Sequence, residues 1–172
     1  MIDEYLCRWP EEAEVTGRFV DFVGRFHDCF AREQAYGHVT GSAWVVNQSE
    51  THVLLTHHRK LDKWLQLGGH ADGNRDILSV ARREVIEESG LVDFELVGKT
   101  IFDLDIHPIP ARKNEPEHFH FDVRFAFKVT GSEQYTISAE SKDLAWVEIV
   151  DLSSYTIEES MLRMGRKWLS RI

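Results

Sequence analysis

Residues 68–73 read Gly-Gly-His-Ala-Asp-Gly, and residues 76–91 read Asp-Ile-Leu-Ser-Val-Ala-Arg-Arg-Glu-Val-Ile-Glu-Glu-Ser-Gly-Leu. The first part is a glycine-rich loop. The second part has the apolar spacing of an amphipathic helix. Gly90 is the residue type that commonly stands just past the end of a helix. The stretch therefore predicts a loop that leads directly into a helix ending near residue 89.

Three glutamates, Glu84, Glu87 and Glu88, lie near the end of this predicted helix. At about 100° per residue they share an arc of roughly 100°. Glu84 and Glu88 repel each other as a like-charge i,i+4 pair, and all three lie at the end of the helix dipole that prefers cations. A solvated acidic face is one explanation. The adjacent glycine loop favours a bound cation instead, and carboxylate oxygens suit Mg²⁺ or Mn²⁺.

The stretch also resembles the signature of the Nudix hydrolases, in which glycines, an Arg-Glu pair and a Glu-Glu pair stand at fixed spacing. One position departs from that signature, because Arg75 stands where the first glutamate is expected. Asp72 and Asp76 lie nearby and are alternative sources of a carboxylate. The positions that match the signature are Gly69, Arg83, Glu84, Val85, Glu87, Glu88, Gly90 and Leu91. We call residues 69–91, which carry this signature, the box.

The resemblance implies a metal-dependent hydrolase that cleaves a phosphoanhydride bond in a nucleoside diphosphate derivative. It implies that Mg²⁺ or Mn²⁺ is held by Glu84, Glu87 and Glu88, together with the backbone carbonyl of Gly69. The attacking water needs a proton acceptor. In this family the acceptor is a glutamate of the box, here Glu87 or Glu88, or a glutamate in a late loop, for which Glu140 is the candidate. A surface glutamate beside a strand is the alternative for Glu140.

The remaining sequence fits the fold that the resemblance implies, an α/β (α+β) protein with a mixed β-sheet sandwiched between helices and an extra N-terminal helix. We expect one domain over residues 1–172, with residues 1–36 as a helical extension packed on it. Apolar spacing predicts helices at residues 10–34 and 156–172, and β-branched and alternating patterns predict strands at residues 38–46, 51–56, 64–67, 118–129 and 144–150. Residues 94–107 alternate like one strand or like a pair of strands joined by a kink.

A second polar group stands on the predicted strand 118–129. His118, His120 and Asp122 have period-two spacing, which places them on one face of a sheet. Asp103, Asp105 and His107 alternate in the same way, so antiparallel pairing of the two segments would bring the two groups together. We predict that His118, His120 and Asp122 contact the substrate, together with His70 in the glycine loop. A metal site using imidazole ligands and a solvated sheet face are the alternatives.

The net charge, the cysteine count and the length of the apolar runs limit the classes of partner and the cell compartment that we expect. The chain has 172 residues and a formal net charge of -9, which argues against binding of an extended nucleic acid, since such proteins present basic surfaces. Cys7 and Cys29 are too few for a disulfide framework. The acidic N-terminus does not resemble a signal peptide, and no apolar run approaches the ~20 residues that span a bilayer. We therefore expect a cytoplasmic protein with a small-molecule substrate and no membrane partner; a homodimer remains open.

Two other functions are compatible with the same signature. A catalytically silent Nudix domain that binds a nucleotide or a protein partner is favoured by Arg75 alone. An enzyme similar to isopentenyl diphosphate isomerase would need an active-site cysteine, yet Cys7 and Cys29 lie in or before the first helix. Substrates used within the family include ADP-ribose, sugar nucleotides, dinucleoside polyphosphates and oxidised nucleoside triphosphates, and the sequence leaves the choice among them open.

Overall fold

The computed structural model describes residues 1–112 and 116–171. Four α-helices and two short 3₁₀ segments, Pro10–Glu12 and Ile149–Ser154, accompany eight strands. The helices are α1 Ile2–Arg8, α2 Ala13–Arg25, α3 Ile77–Ser89 and α4 Glu159–Leu169. The strands are β1 Gly37–Val46, β2 His52–His58, β3 Lys63–Leu65, β4 Leu67–His70, β5 Phe94–Leu96, β6 Asp103–Ile109, β7 His118–Val129 and β8 Ser141–Glu148. No helix within these described ranges is long and apolar enough to cross a membrane.

All eight strands belong to one mixed sheet with β1 at its centre. Strand β1 pairs antiparallel with β2 and β4, and parallel with β7 along its whole length. Strand β7 in turn pairs antiparallel with β5 and β6, while β2 pairs antiparallel with β3 and β8. The register places Thr40 of β1 between His70 of β4 and Asp122 of β7. The polar positions of three strands therefore meet at one place.

The two faces of the sheet are covered by different helices. Val39 and Ala43 of β1 belong to a core that includes residues of α2 and α3, whereas Trp44 belongs to a second core with Met161 and Met164 of α4. Successive residues of a strand point to opposite faces, so the alternation along β1 assigns one face to each core. The sheet lies between helices, which confirms the predicted architecture and its extra N-terminal helices.

The loop-helix unit forms because both ends of α3 are capped. The Asp76 carboxylate accepts a hydrogen bond from the Ser79 N–H at 3.1 Å, as expected of an N-cap residue. Gly90 follows the helix with a φ of 73°, in the left-handed region that glycine tolerates. These caps confirm the predicted start and end of the helix.

The predicted N-terminal helix over residues 10–34 is wrong in its extent. Residues 10–12 form a 3₁₀ turn, and α2 ends at Arg25 because Phe26 adopts an extended backbone. Phe22 stacks on Phe121 of β7 with ring centroids 3.7 Å apart. The apolar stripe of α2 therefore packs on the chain's own sheet.

The other predicted elements are shifted or divided rather than missing. Of the two alternatives for residues 94–107, the structure has the pair of strands, and both β5 and β6 pair antiparallel with β7. The predicted strand 64–67 is also two, β3 pairing with β2 and β4 pairing with β1. The closing helix begins at Glu159, after the 3₁₀ segment. Strand β6 pairs antiparallel with β7, which confirms the predicted meeting of the two polar groups.

Candidate active site

Glu88 lies in the last turn of α3 against the glycine-rich strand β4. The residue is 7% exposed, and its Oε1 accepts a hydrogen bond of 2.7 Å from the backbone N–H of Gly68. Burial raises the pKa of Glu88 to about 8; the Gly68 hydrogen bond opposes this rise, and the charges of Glu84, Glu140 and Glu87 add to it. Burial therefore disfavours the ionised form of Glu88 unless a cation lies beside it.

Glu84 lies one turn earlier and is 9% exposed. Burial raises its pKa, and the hydrogen bond of 2.7 Å from Arg83 Nη2 to Glu84 Oε1 partly offsets that rise. The same guanidinium nitrogen donates to the His70 carbonyl at 2.9 Å. Arg83 therefore connects α3 to the end of β4.

The third box glutamate has a different environment. The Glu87 side chain is 61% exposed and stands 3.6 Å from Arg83 Nε. Glu140 is also exposed, and its charge contributes to the raised pKa of both Glu84 and Glu88. The loop before Glu140 is held against α3 where the Thr136 N–H donates to the Ser89 carbonyl at 2.8 Å. The late loop and the box thus face a common space.

These residues fit a hard divalent cation. Two buried carboxylates, Glu84 and Glu88, lie one turn apart on α3, and the charge of Glu84 contributes to the raised pKa of Glu88. A buried like-charge pair is costly unless a cation compensates it. Carboxylate oxygens with a backbone carbonyl are the ligand type that Mg²⁺ and Mn²⁺ accept. The observation that supports the fit is the buried, mutually repelling pair itself.

Gly69 is required by the position of Glu84. A Cβ at residue 69 would lie 2.6 Å from the carboxyl carbon and from both oxygens of Glu84. We expect Gly69→Ala to displace this carboxylate and to lower kcat about 10–100-fold, the usual cost of disturbing a group that orients a metal site. The melting temperature should change little, because the displaced group is the end of a flexible side chain.

Steady-state kinetics and thermal unfolding of the purified variant test this expectation. Gly24→Ala is the matched control, since a Cβ at residue 24 meets no atom within 4 Å. If Gly69→Ala retained parental kcat, the close approach of Glu84 to the strand would have no catalytic role.

Arg75, which stands where the first box glutamate is expected, is directed towards the N-terminal segment. Its Nη2 donates to the His27 carbonyl at 3.2 Å, and its guanidinium lies 5.6 Å from the centroid of the Phe30 ring. A cation over an aromatic face is attractive. Arg75 therefore connects the box loop to the segment that follows α2.

Five histidines meet on the face of the sheet that also carries Trp44. We call them the histidine cluster. His38 is at its centre, with ring centroids 4.9 Å from His70, 4.9 Å from His118 and 4.8 Å from His120. His107 joins from β6, 5.4 Å from His120. Burial, with a smaller contribution from the neighbouring imidazoles, lowers the pKa of His38 to about 4 and that of His120 to about 2.

Three residues of the histidine cluster have their metal-ligating atoms close together, which no set of box residues does among the described residues. Within residues 1–112 and 116–171, one group of three or more His, Cys, Asp or Glu residues has donor atoms within 4.8 Å of one another, and it consists of His38, His118 and His120. His118 and His120 are two of the predicted substrate contacts. His70 reaches the same cluster with its ring, while its carbonyl borders the box through Arg83.

Asp122, the fourth predicted substrate contact, is 1% exposed. Its Oδ1 accepts hydrogen bonds from Thr40 at 2.8 Å and Ser42 at 2.7 Å, and its Oδ2 accepts from Gln66 at 3.2 Å and Arg124 at 2.7 Å. Both oxygens are therefore engaged. Direct contact between Asp122 and a substrate stays a prediction, and it would require this network to open.

Asp122 also belongs to a buried ionic network that joins the sheet to α4. Arg124 is 2% exposed, and it contacts Asp122 at 2.7 Å, Asp103 at 3.0 Å and Asp105 at 3.2 Å. From α4, Arg163 and Lys167 each contact Asp103 at 2.7 Å. Burial alone would lower the pKa of Arg124, but the three carboxylates raise it above its ordinary value. Glu12 joins the network at 2.6 Å from Lys167, so the network contains at least four carboxylates and three cations.

Comparisons with known proteins agree with this geometry. A family model described as the NUDIX domain matches residues 37–168. The chain belongs to the Nudix family. Comparison with curated protein sequences gives no match. The matched region begins at the first residue of β1 and ends within α4, so it contains the box, the whole sheet and the histidine cluster.

Solved Nudix structures share this fold at low sequence identity. An Ap4A hydrolase of C. elegans, in a binary complex, has a TM-score of 0.62 and 16% identity over 77% of this chain and 95% of that chain. A NUDIX-family hydrolase of Clostridium perfringens has a TM-score of 0.59 and 23% identity over 78% and 98%. The NUDIX domain of Shewanella oneidensis NrtR, complexed with ADP ribose, has a TM-score of 0.55 and 15% identity over 88% and 97%.

His38 is the site residue that sequence reasoning missed. It stands in a strand where polar His38, Thr40 and Ser42 alternate with apolar positions. This alternation is the sequence signal by which His38 could have been identified. The alternation does not identify the neighbours of His38. Strand β1 pairs in parallel with β7, and His38 and the opposite residue, His120, are separated by about eighty residues in the sequence.

Proposed function

We propose that this Nudix protein is a metal-dependent pyrophosphohydrolase that cleaves a phosphoanhydride bond in a nucleoside diphosphate derivative. The observation that carries the proposal is the pair of buried carboxylates, Glu84 and Glu88, packed against the Gly68–Gly69 backbone. Burial raises the pKa of both carboxylates, so a bound divalent cation would stabilise their ionised forms. In this proposal the buried pair holds the cation, and the exposed Glu140 of the nearby loop accepts the proton of the attacking water.

Mg²⁺ or Mn²⁺ would be held by Glu84 and Glu88, by Glu87 after it leaves Arg83, and by the Gly69 carbonyl. When bound, the ion offsets the negative charge of the pyrophosphate oxygens and favours ionisation of a nearby water. The protein's own contribution is to keep the carboxylates fixed. Arg83 holds Glu84, and the Gly68 N–H holds Glu88, so neither group needs to reorganise when substrate arrives.

Glu140 is our candidate for the residue that accepts the proton of the attacking water. Glu84 and Glu88 are buried and assigned to the ion, which leaves the exposed carboxylate of the late loop facing the same space. His70 is placed to contact the substrate, because its backbone is fastened to the box while its ring extends to the histidine cluster. A hydrogen-bond donor such as the His70 ring would stabilise a polyanionic substrate bound beside it.

A nucleoside diphosphate derivative is the proposed substrate class. The formal net charge of -9 supports a small ligand over an extended nucleic acid. The structural relatives include an Ap4A hydrolase and a NUDIX domain complexed with ADP ribose, which are two different members of that class. We also propose that residues 1–36 are an extension that packs on the family domain, as the contact between Phe22 and Phe121 supports.

A panel of ADP-ribose, dinucleoside polyphosphates, sugar nucleotides and nucleoside triphosphates tests the proposal. We expect release of phosphate or nucleotide from at least one of them in the presence of Mg²⁺ or Mn²⁺, and loss of that release in chelator. Arg75→Ala should keep kcat within about tenfold, because Arg75 contacts His27 and Phe30 rather than the box glutamates.

The silent-domain alternative predicts a different result from the same panel. Saturable binding of a nucleotide with no product under any metal would favour it and would remove the hydrolase proposal. Recovery of activity only after Arg75→Glu would locate the lost function at that position.

A further inference from the structure

His38, His118 and His120 place three imidazoles around one point on the face of the sheet away from α3. Their donor nitrogens all lie within 4.8 Å of one another. Two of these residues are opposite each other in the register of β1 and β7, and His118 is two residues earlier on the same strand. The arrangement is therefore built by the sheet itself and does not depend on a loop.

Three ring nitrogens of this group have no hydrogen-bond partner among the residues that the structure describes. Both Nδ1 and Nε2 of His38 are buried and unpaired, as is Nε2 of His120. His38 is 3% exposed. A buried polar group without a partner is costly because it loses its hydrogen bonds to water, and most native proteins avoid it. Several such nitrogens at one place indicate that something other than protein binds them.

One ring of this group, His118, and one ring beside it, His107, are oriented as metal-ligating histidines usually are. His118 Nδ1 is 2.9 Å from the Pro116 carbonyl. A carbonyl only accepts, so Nδ1 carries the proton and Nε2 keeps its lone pair. His107 Nδ1, next to His120, is 3.0 Å from Asp105 Oδ2. Hydrogen bonds from the second ring nitrogen to a carbonyl or a carboxylate are the usual way to orient a ligating histidine.

We propose that His38, His118 and His120 form a second metal site, distinct from the box, that binds a first-row transition ion, with Zn²⁺ as the first candidate. Neutral imidazoles suit Zn²⁺, Ni²⁺, Cu²⁺ and Co²⁺, whereas Mg²⁺ prefers oxygen ligands. Three histidine ligands leave a fourth position open for water or for another ligand.

The geometry requires a small adjustment. Zn–N bonds of about 2.0–2.1 Å in a tetrahedral site put ligand nitrogens about 3.4 Å apart. The imidazoles must therefore converge by roughly 1 Å from their present separation, which rotation about the side-chain torsions provides. His70 and His107 lie beside the group and limit the alternative positions of its rings.

Titration of the untagged, full-length chain with Zn²⁺ alone tests the proposal. The chain carries Glu84→Gln and Glu88→Gln, so that the box does not contribute. We expect one equivalent of Zn²⁺ by calorimetry and by elemental analysis after desalting, and visible absorption of a tetrahedral site with Co²⁺. Because the readout is binding in a chain whose box is disabled, its outcome is independent of the hydrolase proposal.

His118→Asn and His120→Gln in that background should each weaken Zn²⁺ binding at least about 100-fold, since disturbing only an outer hydrogen bond costs 10–100-fold. His52→Asn, a partly exposed histidine of β2, is the matched control and should bind as the parent does. His118→Asn changes a half-buried residue, so circular dichroism should show an intact fold. Stoichiometry below one equivalent in the parent, or unchanged affinity in both cluster variants, would overturn the proposal.

Discussion

Glu88→Gln is expected to abolish most metal-stimulated hydrolysis while making the protein harder to unfold. The substitution removes one charged ligand and keeps the side-chain size. Losing several kcal/mol of metal-mediated stabilisation corresponds to about a 10³-fold fall in kcat, at 1.36 kcal/mol per tenfold. The amide oxygen of the glutamine still accepts the Gly68 hydrogen bond, so the fold keeps that contact.

The gain in stability follows from the raised pKa of Glu88. Burial is the main cause that raises the pKa of this carboxyl from its ordinary value of 4.5 to about 8. The folded state then binds the proton more tightly than the unfolded state, and the free energy of unfolding falls as pH rises between these values. Glu88→Gln carries no such charge. In chelator, its advantage over the parent should therefore be absent below pH 4.5 and should grow until about pH 8.

Urea unfolding at several pH values, with kinetics under Mg²⁺, measures both effects. Glu87→Gln is the informative comparison, because its side chain is 61% exposed. It should also lower kcat by orders of magnitude, yet leave the free energy of unfolding nearly unchanged. A Glu88→Gln variant with parental kcat would contradict the metal site, and a variant less stable than the parent at pH 8 would contradict the account of its burial.

The box was predictable from sequence because its parts are local. The cap at Asp76, the left-handed Gly90 and the glutamate arc all depend on residues within a few positions of one another. The same is true of the alternation that placed His118 and His120 on one face of β7. Patterns of period two or 3.6 carry this information directly.

The partners of these residues were not predictable, because they depend on which strands lie side by side. His38 meets His120 only through the parallel pairing of β1 with β7, and Gly69 meets Glu84 only because β4 returns beside β1. Asp122 shows the consequence for function. Its spacing suggested a substrate contact, whereas the pairing surrounds it with Thr40 and Ser42.

Arg124→Met is expected to have the largest effect on stability of any single change outside the core. Arg124 is 2% exposed and contacts Asp103, Asp105 and Asp122. Methionine has a similar volume and no charge, so the buried Asp103 and Asp122 and the half-buried Asp105 would lose the cation between them. Removing one partner of a buried ion pair costs about 3–5 kcal/mol, because the remaining charge is left uncompensated.

Urea unfolding followed by tryptophan fluorescence measures the change, with Lys128→Met as the control. Lys128 contacts Glu50 at 2.7 Å, but both side chains are partly exposed to solvent. Exposed pairs contribute about 0–1 kcal/mol, so the control should stay within that range. A loss below about 1 kcal/mol for Arg124→Met would mean that Arg163 and Lys167 suffice to compensate the three carboxylates. A loss in the expected range would establish that Arg124 holds β6 and β7 together at the edge of the histidine cluster, where Asp105 orients His107.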